Sequence, residues 1–168
     1  MLVNYQKNGF DFLIISLNQM ILIPKTKINE YKKNGFVKVS NFLDKKKTQS
    51  IREDLEVFLK EYRNKLDNRQ INLTKNKKIN SIHDLSKWDW ITKIQNHSKT
   101  KAIAQKIIGE KISDFGAELF YKPEKTGIAV PAHQDNYYWC LNDPNAITIW
   151  IALEKANKNN GGIYYFNK

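Results

Sequence analysis

The hydrophobic period of this chain changes at Gly109, and few architectures accommodate such a change. Before that glycine, apolar residues recur three and four positions apart, as in Ile51, Leu55, Phe58, Leu59 and Tyr62, which form one stripe on a helix. After it, short β-branched and aromatic runs occupy residues 112–121, 146–153 and 162–166. Pro123, Gly127, Asn142 to Pro144 and Asn159 to Gly162 separate these runs as turn signals. Helices followed by short strands predict an α+β domain whose strands pair antiparallel in a sandwich or jelly roll.

Local signals place the elements. Residues 25–34 read as a short helix closed by Gly35, and residues 36–39 alternate as a strand. Asp44 can cap a long helix over residues 45–66. Residues 67–78 are polar and basic and read as a loop. A second helical region covers residues 85–108, with a break at residues 96–98, a fresh start at Ser98 and an end at Gly109. Ahead of Pro24, residues 10–23 are apolar but number only 14, interrupted by Asp11, Asn18 and Gln19. A membrane-spanning helix takes about 20 apolar residues, and no small-residue cleavage site marks a secretory leader. Residues 1–23 therefore read as an apolar extension and residues 24–168 as the domain, with no membrane span.

The net charge of +11 raises the question of a polyanionic partner. Of the 28 Lys and Arg residues only Arg52, Arg63 and Arg69 are Arg, the side chain that forks onto phosphate and base edges. Lys, Asn and Ile share AT-rich codons, so genome bias accounts for the surplus, and no specific nucleic-acid partner is expected. The single cysteine, Cys140, precludes an internal disulfide framework and suits a reducing cytoplasm.

Residues 131–139, Pro-Ala-His-Gln-Asp-Asn-Tyr-Tyr-Trp, carry the chemistry. On a strand, positions i and i+2 project to one face, so His133 and Asp135 would converge on a cavity while Gln134 points away. An imidazole and a carboxylate together make two thirds of the 2-His-1-carboxylate triad, which holds Fe(II) and leaves positions open.

The context of that triplet resembles the phytanoyl-CoA dioxygenase family. The blocks, in collinear order, are Leu-Phe-Tyr-Lys-Pro at 119–123, Val-Pro-Ala-His-Gln-Asp-Asn-Tyr-Tyr-Trp at 130–139, Thr-Ile-Trp-Ile-Ala-Leu at 148–153 and Asn-Asn-Gly-Gly-Ile-Tyr-Tyr at 159–165. Residues 31–43 are similar to the family's opening. The resemblance implies N-terminal helices packed on a double-stranded β-helix. It implies Fe(II) as cofactor and 2-oxoglutarate as co-substrate, and hydroxylation of an unactivated C–H bond of a small organic substrate. His133 and Asp135 match the iron ligands. Trp150 matches an aromatic flanking 2-oxoglutarate, and Tyr138 and Lys122 match positions at the pocket mouth. A carboxylate at Asp135 also matches the hydroxylating branch rather than the halogenating one, which carries a small residue there.

The family's distal His, and the Arg that clamps the 2-oxoglutarate carboxylate, follow the Gly-Gly-Ile-Tyr-Tyr block in relatives. This sequence reaches Lys168 without either, and His83 and His97 lie too early to match. The resemblance thus implies the N-terminal part of such an enzyme on an incomplete β-helix, inactive by itself. The alternative is a non-catalytic remnant or interaction module on the same fold.

Overall fold

The computed structural model describes residues 23–109, 111–141 and 145–166, together with the backbone of a strand at Leu2–Lys7, β1. Residues 10–22, most of the apolar leading stretch, lie outside the described residues. The first helix, α1, runs over Lys25–Asn34 and ends at Gly35, which adopts a left-handed φ of 81° and donates its N–H to the Tyr31 carbonyl. Only glycine takes this cap without a Cβ penalty. Helix α2 spans Lys45–Tyr62. The Asp44 carboxylate accepts from the Lys47 N–H at 2.7 Å, a cap that stabilises by about 0.5–2 kcal/mol. A 3₁₀ turn over Arg63–Lys65 carries the helix nearly to its expected end.

Residues 67–78 are not simply a loop. Ile71–Leu73 (β2) and Ile79–Ile82 (β3) form a hairpin closed by Thr74 and Lys78. Thr74 N–H donates to the Lys78 carbonyl at 2.8 Å, and Lys77 takes a positive φ of 57°. Strands of three and four residues beside a polar turn leave little periodicity to read, which is why composition masked them. Helices α3 (Asp89–Gln95) and α4 (Ser98–Ile108) follow, with the break and the Gly109 stop where sequence places them.

β4 spans Ile112–Phe120 and β5 spans Ala146–Trp150, with the one-turn helix α5 at Asn136–Trp139 between them. The five strands make one antiparallel sheet in the order β2-β3-β4-β1-β5. β1, first in sequence, is thus inserted between β4 and β5, and no strand signal was read at residues 2–7. Three expected strands are absent. Residues 36–39 and 162–166 have no ladder partner among the described residues, and residues 130–135 turn into α5. Alternation or aromatic content marks a residue run as able to pair; it does not supply the neighbour.

Period two divides the sheet into unlike faces. Ala117 and Leu119 of β4 and Ile147 of β5 are buried on one face, where they join Ile51, Leu55 and Phe58 of α2, Ile91 and Ile94 of α3, and Ala104 of α4. Phe58, Tyr62, Trp88 and Trp90 clasp α2 to the start of α3, with ring centroids 4.5–5.7 Å apart. The opposite face carries Glu118, Phe120, Thr148 and Trp150, none of them fully buried. The fold is therefore a mixed helix-and-sheet protein with a small antiparallel sheet, helices on one side and a mixed polar and aromatic face on the other.

Ile91 has no exposed surface. Its replacement by Ala should lower stability by about 2–5 kcal/mol, as for other fully buried large-to-small changes. Val57→Ala, at a position 55% exposed, should change it by no more than about 0.5 kcal/mol. Urea denaturation of the two variants measures the contrast; equal shifts would show that the helical layer does not pack as described.

Candidate functional site

The His133–Asp135 segment is a turn, which corrects the expected strand. Pro131 has no N–H to lend a ladder. Backbone bonds from Tyr137 N–H to the Gln134 carbonyl (3.0 Å) and from Tyr138 N–H to the Asp135 carbonyl (2.9 Å) wind the chain into α5, which Cys140 closes at a positive φ of 50°. The two side chains nevertheless meet. His133 Nε2 lies 3.3 Å from Asp135 Oδ1, and each side chain is about one third exposed, at 32%.

Their hydrogen bonds define what the pair can hold. His133 Nδ1 lies 2.8 Å from the Pro131 carbonyl, which can only accept, so Nδ1 carries the proton. In a neutral ring of this tautomer Nε2 carries the lone pair. Nε2 and Asp135 Oδ1 lie 3.3 Å apart, a separation at which both could bind one cation. Asp135 Oδ2 is engaged separately, accepting a short hydrogen bond from the Thr148 hydroxyl of β5. A hydrogen bond fixing the far nitrogen and another fixing the far oxygen is the arrangement that orients metal ligands. Among the described residues no group of three His, Cys, Asp or Glu converges on a metal position.

The other predicted residues fall around this pair to different degrees. The Tyr138 ring packs edge-on against the His133 imidazole, centroids 5.2 Å apart, and remains 64% exposed. Trp150 sits two residues beyond Thr148 on β5 and so shares its face. Lys122 follows β4 and packs its stem under the turn at residues 157–162: a Cβ on Gly161 would lie 2.6 Å from Lys122 Cδ. Gly161 also has a φ of 88°, so only glycine suits this close approach.

Sequence reasoning did not single out Thr148, Tyr165 or Phe36 for the site. The Tyr165 ring stacks on Phe36 at 4.8 Å, and burial, with the Asp135 carboxylate second, raises the Tyr165 phenol above its usual value. Thr148 was legible in principle, because its i, i+2 spacing from Trp150 puts a hydroxyl on the same face. Phe36 and Tyr165 are 129 residues apart in sequence and carry no local signal of their meeting.

A second polar cluster occupies the same sheet face. Strand register pairs Ile82 with Leu119 and Ser81 with Phe120, which sets His83 beside Glu118. His83 Nδ1 lies 2.9 Å from Glu118 Oε1, and Nε2 lies 2.9 Å from Ser81 Oγ and 3.0 Å from Asn72 Nδ2. The hydrogen bond that His83 Nδ1–H donates to Glu118 raises the imidazole above its ordinary value, against the opposing effect of burial. His97, at the start of α4, shifts the other way, lowered by burial and then by Lys47 and Lys99.

An antiparallel sheet with helices on one face and a His–carboxylate pair beside the other is a broad class. The sequence model of the family described as phytanoyl-CoA dioxygenase matches residues 31–166, and the chain belongs to that family. Membership makes it a member of a group of oxygenase-type enzymes, generally dependent on Fe(II) and 2-oxoglutarate. No curated protein matches the chain. Among the described residues no helix is long and apolar enough to cross a membrane.

The His83–Glu118 pair should impose a pH dependence on folding. Because the folded-state value is raised, its contribution is full below the unfolded imidazole value of about 6.5 and falls as pH rises through the folded value. Glu118→Gln removes the charge that raises it. The stability difference between the native chain and Glu118→Gln, read by urea denaturation, should be largest near about pH 6 and shrink toward about pH 9. The opposite titration of His97 is common to both proteins and cancels. A difference that stays constant with pH would contradict the assignment.

Proposed function

We propose that the chain carries part of a Fe(II)- and 2-oxoglutarate-dependent dioxygenase that hydroxylates an unactivated C–H bond of a small organic substrate, and that with two ligands among its described residues it is inactive by itself. The observation that carries this reading is the proximity of His133 Nε2 and Asp135 Oδ1, 3.3 Å apart, with their far atoms already bonded. An imidazole and a monodentate carboxylate suit a ferrous ion and are two of the three ligands in the facial triad. Iron with 2-oxoglutarate and O2 supplies the oxidising chemistry.

The chain's own residues bind and orient. The Pro131 carbonyl holds the His133 ring in the tautomer that presents Nε2. Thr148 anchors the carboxylate to the sheet. Tyr138 walls one side of the imidazole, and Trp150 shares the face on which 2-oxoglutarate would lie. Lys122, its stem fixed by the Gly161 turn, stands past the end of β4 as a cation for the pocket mouth. In this reading residues 24–168 contribute to the family's jelly roll, with the described sheet as one of its walls and residues 1–23 adding β1 from ahead of the matched span. A reducing cytoplasm, in which Cys140 stays a thiol and iron stays ferrous, is the setting it implies.

One observation favours a second reading, a non-catalytic module on the same fold: the described residues offer two metal ligands rather than three. Anaerobic Fe(II) binding separates the two. The enzyme reading expects weak Fe(II) binding that is lost in His133→Ala and Asp135→Ala, while His83→Ala retains it. Binding unaffected by the first two substitutions would refute the site assignment, and no binding by the native chain would favour the module.

A further inference from the structure

We infer that Thr148 is a positioning residue for metal binding: its hydroxyl selects which oxygen of Asp135 is offered to the ion. The inference rests on the iron-site reading above and extends it to a residue outside the ligand set. A free carboxylate turns about its terminal torsion and presents either oxygen, or both. Here Oδ2 is tied to the Thr148 hydroxyl, and Oδ1 is left facing His133 Nε2 at 3.3 Å.

The tie is well placed to resist rotation. Asp135 itself sits in an irregular turn at the start of a four-residue helix, a poor base for a ligand. Thr148 lies mid-strand in β5, registered opposite Asn4 of β1, with the neighbouring Ile147 buried in the core. Threonine is β-branched and stiff at χ1, so its hydroxyl direction follows from the strand backbone. The hydrogen bond thus transfers the rigidity of the sheet to a carboxylate that its own loop does not hold. The His133 ring has an equivalent tie, to the Pro131 carbonyl, but that tie lies within the turn. Thr148 is the described contact that fixes the ligand turn to the sheet through a ligand atom.

The hydroxyl can be removed without changing side-chain shape. Thr148→Val keeps the branched strand residue and loses the donor; Thr148→Ser keeps the donor and loses the methyl group. Mn(II) serves as an oxygen-stable probe, its binding followed by electron paramagnetic resonance and water-proton relaxation with 2-oxoglutarate present. Thr148→Val should bind Mn(II) about 10–100-fold more weakly than the native chain, or lose binding altogether, as for other residues that orient metal ligands. Thr148→Ser should stay within a few-fold of native, and far-UV circular dichroism of both variants should match the native chain. Native-like Mn(II) affinity in Thr148→Val would overturn the positioning role while leaving the metal site intact. Equal weakening in the Val and Ser variants would overturn it too, since loss of packing rather than of the donor would then be responsible. No Mn(II) binding by the native chain would remove the iron-site reading and this inference with it.

Discussion

The two-residue period of β4 and β5 is the constraint on which the rest of this molecule depends. It sends Ala117, Leu119 and Ile147 under the helices and leaves Glu118, Thr148 and Trp150 on the opposite face. Burial of the first set, at about 25 cal/mol per Å² of apolar area removed from water, holds α2, α3 and α4 against the sheet. The second set inherits a rigid platform without contributing to that core. A register slip of one residue in β5 would bury the Thr148 hydroxyl and expose Ile147, which ties the integrity of the site to that of the fold.

On that platform the His133–Asp135 pair is held from both ends. The imidazole is oriented by a backbone carbonyl two residues earlier, and the carboxylate by a hydroxyl thirteen residues later on a strand. The atoms left over, His133 Nε2 and Asp135 Oδ1, lie 3.3 Å apart. A site of this kind is partly open, since both side chains stay about one third exposed, and its neighbours on the outer side are aromatic: Tyr138 against the imidazole, and Tyr165 stacked on Phe36 near the carboxylate. The aromatic rings shape the approach, and the sheet supplies the rigidity.

Much of the helical layer was legible because its signals are local. Asp44 caps α2, Gly35 and Gly109 end their helices in left-handed conformations, and the stripe of Ile51, Leu55 and Phe58 names the buried side. The misreadings share a physical cause, which is that strands need partners. Residues 36–39 and 162–166 have strand-like composition but no ladder partner among the described residues. Residues 71–73 and 79–82 have weak composition but pair with each other and, through β3, with β4. At the proposed site, His133 and Asp135 were expected to meet for a reason that does not hold, since a turn rather than a strand brings them within 3.3 Å. The hydroxyl of Thr148 and the Phe36–Tyr165 stack are tertiary contacts, and only the fold reveals them.

The central claim is that His133 Nε2 and Asp135 Oδ1 bind one metal ion, and the most direct test looks for the nitrogen itself. Pulsed electron paramagnetic resonance of the chain loaded with oxovanadium(IV), a paramagnetic stand-in for a ferrous ion, reports coupling to a coordinated imidazole. The account predicts a single-imidazole coupling that disappears in His133→Ala and persists in His83→Ala and His97→Ala. Coupling that survives loss of His133, or that vanishes with His83 or His97, would place the metal elsewhere and contradict it.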